Sequence, residues 1–184
     1  MIGATVVNGW SDGSCAWDGN GGPGAWAAIL VVDGEETILS GCAARTTSLR
    51  MEMLGALATI KAAPCGRPLI LSVDCQMMTR GATEWMTMWK TRGWRKVKGG
   101  RLVNADIWSQ VYDALLTRGN VAWRWVPRRS DAMSKRVDRI AVAVRKSVQS
   151  SQATYDVSGG ADHGAQLYGT RDGRSRRIHA SRVG

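Results

Sequence analysis

Apolar runs separated by turn residues open the chain. Val6 and Val7 with Trp10 read as a buried strand that ends in Ser11-Asp12-Gly13-Ser14, followed by a glycine-rich loop with Pro23. Residues 24–32, GAWAAILVV, give a second strand. Asp33-Gly34 signals a hairpin, and Thr37 to Cys42 returns as a third strand, completing an antiparallel meander. The period then lengthens. Ser/Thr residues ahead of Glu52 mark a helix start, and Leu49 to Ala62 carries Met51, Leu54, Leu57, Ala58 and Ile60, apolar nearly all round and so predicted to be buried. Pro64 and Gly66 end it. Leu69 to Val73 is a short continuous apolar strand of the kind found mid-sheet, and Asp74-Cys75-Gln76 follows. A later helix, from Asn104 or Asp106 to about Thr117, presents Trp108, Val111, Tyr112, Leu115 and Leu116 as a stripe and stops at Gly119. Val121 to Val126 is a fifth strand. Asp131 caps a last helix with Met133, Val137, Ile140, Ala141 and Val144 on one face.

Four acids sit awkwardly in this pattern. A strand–helix–strand order implies a parallel crossover, which sets the fourth strand beside the first and brings Asp12 near Asp74. Two carboxylates that close repel, and a cation between them is the usual resolution. Glu52 is the only acid of its helix; it is either an exposed residue favoured by the helix dipole or an inward-facing ligand. Asp138 lies beside the apolar stripe of the last helix and by itself reads as a surface acid paired with Arg139 or Lys135.

Charge adds a partner to the picture. The 184 residues carry a net charge of +10, which points to a polyanion, most simply nucleic acid. The positive charge concentrates in residues 77–101, where Trp85, Trp89 and Trp94 interleave with Lys90, Arg92, Arg95, Lys96, Lys98 and Arg101, and no acid occurs between Glu84 and Asp106. Such a segment grips phosphates and packs against sugars, or forms a helical hairpin with core tryptophans and a solvated charged face. Four cysteines without C-x-x-C spacing argue against a zinc site and fit reduced thiols. No apolar run is long enough to span a membrane, and the start lacks secretory features, so the expectation is a cytoplasmic, monomeric chain.

Read together, Asp12-Gly13-Ser14-Cys15, Gly22-Pro23-Gly24, Arg45-Thr46-Thr47 with Arg50-Met51-Glu52, Asp74-Cys75-Gln76, Trp85 with Trp89-Lys90, Arg92-Gly93-Trp94, Asn104-Ala105-Asp106-Ile107-Trp108 and Trp123-Arg124-Trp125-Val126 occur in an order that resembles bacterial-type (type 1) ribonuclease H, over roughly Ala4 to Ser147. The resemblance implies an α/β ribonuclease H-like fold: a five-stranded mixed sheet, three antiparallel strands then parallel ones, flanked by helices. It also implies hydrolysis of the RNA strand of RNA–DNA hybrids, leaving 5′-phosphate and 3′-hydroxyl ends. Asp12, Glu52, Asp74 and Asp138 match the catalytic residues that bind two Mg²⁺ ions, with Mn²⁺ a substitute, and hard oxygen ligands suit both metals. Gly13, Ser14, Glu52 and Gln76 match RNA-strand contacts. Asn20 and Thr47, with Arg45 nearby, match a DNA-phosphate site, and Trp85 and Trp108 match residues lining the DNA groove. The basic segment from Lys90 through Arg92, Arg95, Lys96 and Lys98 to Arg101 matches a substrate-binding protrusion.

The chain departs from the family pattern in three places. The loop before the last helix, Pro127 to Ala132, lacks the usual histidine; Arg129 replaces its charge but shuttles no proton near neutral pH, so slower turnover or an altered pH profile is expected. Ser48 and Leu49 stand where two asparagines are usual. The first loop is longer by Trp17-Asp18. Residues 1–149 are expected to form the catalytic domain. Residues 150–184, Gly/Ser-rich and with both histidines, His163 and His179, read as a flexible basic tail whose Arg171, Arg174, Arg176, Arg177 and Arg182 either add affinity or merely solubilise. The competing functions are a hybrid-binding module with weak or no catalysis, and a related nuclease such as a junction resolvase.

Overall fold

The computed structural model describes residues 5–17, 19–155, 168–171 and 174–177. β1 (Val7–Cys15) pairs antiparallel with β2 (Gly22–Val32), which pairs antiparallel with β3 (Glu35–Thr46). α1 (Ser48–Ala62) crosses over to β4 (Leu69–Val73), which lies parallel to β1 on its other side. α2 (Gln76–Arg80), a π-helical turn (Gly81–Trp85) and α3 (Met86–Thr91) lead out to the basic segment and back to α4 (Ala105–Arg118). β5 (Val121–Trp125) joins parallel to β4, and α5 (Ala132–Tyr155) follows. The five strands β3-β2-β1-β4-β5 form the expected mixed sheet. A hairpin of β6 (Tyr168–Arg171) and β7 (Arg174–Arg177) extends it beyond β3.

Two layers of helix cover the sheet. α1 and α4 close one face around Val7, Met53, Leu57, Leu71, Ile107 and Val111. α5 closes the other, Val137 and Ala141 packing on Ala27 and Ile29. In β1 the side chains alternate between these faces, so Trp10, Asp12 and Ser14 point toward α5.

Several expected boundaries move. β1 does not end at Asp12: it continues to Cys15, with Asp12 paired to Ala27, because the small residues Gly13 and Gly24 let β2 and α1 close around it. β3 runs longer than Thr37–Cys42 at both ends. α5 passes the expected domain boundary at 149, since no glycine or proline occurs between Ser134 and Tyr155 to stop it. The strands β6 and β7 likewise fall in the segment read as a tail; His163, His179, Arg182 and Asp18 lie outside the described residues. Among the described residues no helix is long and apolar enough to cross a membrane.

The tryptophans divide between roles. Trp85 leans on Trp89 at 5.6 Å between centroids, and Trp89 on Trp108 at 5.0 Å. Trp108 is 2% exposed. Its expected place in the DNA groove is therefore corrected: it is a core residue supporting Trp89, with no face left for a ligand. A Cβ on Gly81 would sit 2.2 Å from the Trp108 ring, so their close approach requires glycine at the start of the π-helical turn.

Candidate active site

Three elements deliver three carboxylates to one point. β1 supplies Asp12, α1 supplies Glu52, and the end of β4 supplies Asp74; one oxygen of each lies within 4.8 Å of the other two. Glycine makes the approach possible. A Cβ on Gly13 would come 2.4 Å from the Glu52 amide nitrogen and 2.8 Å from the Met51 carbonyl carbon, so only glycine admits the first turn of α1 this close to β1. Thr47 starts that turn, its hydroxyl accepting from the Arg50 amide at 3.2 Å. Glu52 thus faces inward, and the exposed alternative falls.

The cluster is electrostatically incomplete. Burial, with Asp74 close by, pushes the Asp12 carboxyl up to about 6, against a backbone hydrogen bond of 2.7 Å from Gly13. Burial and the charges of Asp12 and Asp74 push Glu52 well above the ordinary carboxylate range, and its Oε2 is buried with no hydrogen-bond partner. Asp74 is raised by burial, with Arg128 opposing. Three oxygens converge with too few donors among them. That set fits a divalent cation with hard oxygen ligands.

Asp138 stands apart from this trio. It is 2% exposed, not a surface acid, and its partners are not Arg139 or Lys135. Arg128 donates to Oδ1 at 3.1 Å, and Arg129 donates to Oδ2 with its terminal nitrogen at 2.8 Å and Nε at 3.0 Å. Burial pushes the carboxyl up, but these bonds outweigh it and hold Asp138 below the usual range. Arg128 also lies 4.0 Å from Asp74. Arg129 adopts φ +54°, a conformation uncommon outside glycine and asparagine, to reach this position. The family resemblance drew attention to Arg129 alone; Arg128 shares the carboxylate through one bond against two from Arg129.

The other expected contacts fall in two groups. In the loop after β1, the Asn20 carbonyl accepts from Arg45 at 2.9 Å. The Arg50 guanidinium reaches the Asn104 carboxamide oxygen at 3.3 Å and pairs with both oxygens of Asp106. The Asn104 side-chain nitrogen is left buried with no partner, in a residue at φ +55° that starts α4 without capping it. Asn104 was read only as a helix start; an unused cap is the signal that marks it as a spare donor. In the second group Gln76 is exposed at the start of α2, and Lys90, Arg92, Arg95, Lys96 and Lys98 are all exposed on the excursion. There Gly93, Trp94, Arg95 and Arg101 face Asp106 and Ser109 across an open pocket of about 330 Å³. Trp85 is half-buried beside Arg80.

A mixed sheet that gathers buried carboxylates at its centre, beside a basic protrusion, defines a nuclease of ribonuclease H-like architecture. A sequence profile of the RNase H family matches residues 4–146. "Ribonuclease H" of Granulibacter bethesdensis is 36% identical over 143 residues, 77% of this chain and 93% of the relative. The chain belongs to the RNase H family. Among solved structures, LC9-RNase H1, described as a type 1 RNase H with the type 2 active-site motif, superposes with a TM-score of 0.68 at 22% identity, covering 80% of this chain and 75% of that one. A foamy viral protease-reverse transcriptase in complex with RNA/DNA hybrid gives 0.67 at 18% identity, covering 76% of this chain and 20% of that one. Both share the fold.

Proposed function

We propose that this chain hydrolyses the RNA strand of RNA–DNA hybrids with two divalent ions, Mg²⁺ or Mn²⁺, leaving 5′-phosphate and 3′-hydroxyl ends. The observation that carries the reading is the Asp12–Glu52–Asp74 convergence, with an unpartnered Glu52 oxygen inside it. Those three residues hold one ion, and Asp138 with Asp12 holds the other. When bound, the ions lower the pKa of water and stabilise charge on the phosphate and leaving oxygen. The chain's own residues do the rest. Gly13 fixes the spacing of Asp12 and Glu52. Gln76, Ser14 and Glu52 meet the RNA strand, where the 2′-hydroxyl separates RNA from DNA. Thr47, Arg45 and Asn20 receive a DNA phosphate. Lys90 through Arg101 grip the backbone further along, with Trp85 against a sugar.

Labelled hybrid, duplex DNA and duplex RNA, each with Mg²⁺ and with Mn²⁺, test the reading against an Asp12→Asn control. Cleavage of the hybrid's RNA strand alone, lost in the control, is expected. Cleavage of DNA, or cleavage that survives Asp12→Asn, would overturn it. A second reading, hybrid binding with weak or no catalysis, draws on the two arginines that engage both oxygens of Asp138. Tight hybrid binding with no cutting under either metal would favour it.

A further inference from the structure

Arg145 is a cation that neither the trio nor the Asp138 pairings use. It sits on α5, two turns past Asp138, and reaches across to β1, where its Nε donates to Ser14 Oγ at 2.9 Å. A terminal nitrogen donates to Gln149 Oε1 at 2.8 Å. Both acceptors are neutral, and among the described residues no carboxylate pairs with this guanidinium. Among the described residues two of its five N–H donors find acceptors, which leaves three on a half-buried, always-charged group. The position is aligned with the site on both elements. Ser14 shares a strand face with Asp12, two residues or about 7 Å along β1. Arg145 lies about 10 Å along the helix from Asp138. At about 3.4 Å of rise per nucleotide along the axis of a duplex aligned with β1, those lengths are two to three nucleotides.

We propose that Arg145 binds a backbone phosphate of the cleaved strand two or three nucleotides from the scissile bond, with Ser14 and Gln149 fixing its fork. This rests on the proposed function above, since it needs a polynucleotide over the acid cluster. Neutral acceptors are what the role requires: they orient the guanidinium without neutralising it, so its charge stays available to an anion. A residue that merely ties α5 to β1 would need no charge.

The test uses the full chain with Asp12→Asn to keep substrate intact, and hybrids in which a short run of ribonucleotides fixes the cleavage position. Arg145→Gln is expected to weaken hybrid binding about tenfold. It should also lower the slope of log K against log[salt] by about one charge. Arg145→Lys should keep the slope. Single methylphosphonates, which remove one phosphate charge each, are placed at the positions around the cut. Neutralising a phosphate two or three nucleotides out should weaken the Arg145-containing protein about tenfold and the Arg145→Gln protein no further. Equal losses in both proteins, or no sensitive phosphate at that distance, would overturn the assignment, and the second result needs no variant that could fail to fold. Failure of the parent chain to bind or cut any hybrid would instead overturn the proposed function. An unchanged salt slope in Arg145→Gln beside normal hybrid cleavage by the parent would overturn the Arg145 assignment alone.

Discussion

Removing both arginines from Asp138 should make the metal-free protein less stable and its response to Mg²⁺ larger. The Asp138 side chain is 3% exposed, while those of Arg128 and Arg129 are 65% and 57% exposed. Solvent therefore screens each guanidinium, and removing one should cost only about 1 kcal/mol while the other stays. Removing both leaves a buried carboxylate with no counter-charge, for which a loss of about 3 kcal/mol is reasonable, at the low end for broken buried pairs. For a chain of this size that is roughly 6–12 °C in Tm. The suitable pair is Arg128→Gln with Arg129→Asn, because asparagine tolerates the positive φ at position 129. On the proposed two-ion reading, an ion binding Asp138 in the parent displaces two guanidiniums, whereas in the double variant it meets a bare carboxylate. Millimolar Mg²⁺ should accordingly raise Tm by several degrees more in the variant, following the linkage between ligand affinity and stability. Thermal unfolding with chelator and with Mg²⁺ reads both effects. A variant that is destabilised but shows the parent's Mg²⁺ shift would refute the reasoning, because the arginines and the ion would then not share Asp138.

Three further outcomes follow from the geometry. Gly13→Ala places a methyl 2.4 Å from the Glu52 amide and must push α1 away; a displacement of about 1 Å at a catalytic group costs on the order of a hundredfold in rate, and hybrid cleavage with circular dichroism separates that loss from unfolding. Gly81→Ala drives a methyl into the Trp108 ring at 2.2 Å and should cost about 1–3 kcal/mol, read as a Tm loss of roughly 2–12 °C; an unchanged Tm would mean that the approach of Gly81 to Trp108 is not close-packed. In chelator, the Asp12 carboxyl titrates near 6 when folded against 3.8 in the unfolded chain, so between about pH 4 and 6 the folded state holds more protons and stability falls as pH rises, by up to about 3 kcal/mol. Asp12→Asn should make that decline shallower, the raised Glu52 and Asp74 carboxyls keeping the rest, and a parent whose Tm rises over the same range would contradict it.

The fold was legible because each element carried its own period and its own stop. The meander, the buried α1 and the central β4 all follow from apolar runs bounded by Asp33-Gly34, Pro64-Gly66 and Asp74. Asp12 and Asp74 were legible as a pair for a related reason: a parallel crossover forces the end of β4 beside β1, and both sit there, while Glu52 stayed open between an exposed and an inward placement. Other features depend on contacts between distant residues, which no local pattern records. For Trp108 the apolar stripe of α4 pointed to the core and the family match to the groove, and its packing under Trp89 decides between them. Asp138 is spaced like a surface acid of α5; its burial depends on a loop ten residues earlier that turns through a positive φ to bring two arginines over it. Arg145 meets Ser14 across 131 positions of sequence.

These placements divide the charge of the site unevenly. Asp12, Glu52 and Asp74 are buried together with few donors, so their energies are lowered by gaining protons or a cation, and their raised pKa values express that. Asp138 carries its compensation already, as two guanidiniums on an otherwise solvent-facing loop. A divalent ion at the trio relieves existing repulsion, whereas an ion at Asp138 exchanges one set of cations for another. On the proposed two-ion reading, the trio site should fill first and the Asp138 site only as the arginines swing away. Those arginines are more than half exposed and hold the acid through side chains alone, so the exchange requires rotamer changes and no refolding of α5. The charge of the loop, rather than the number of carboxylates, then sets how much metal the second site needs.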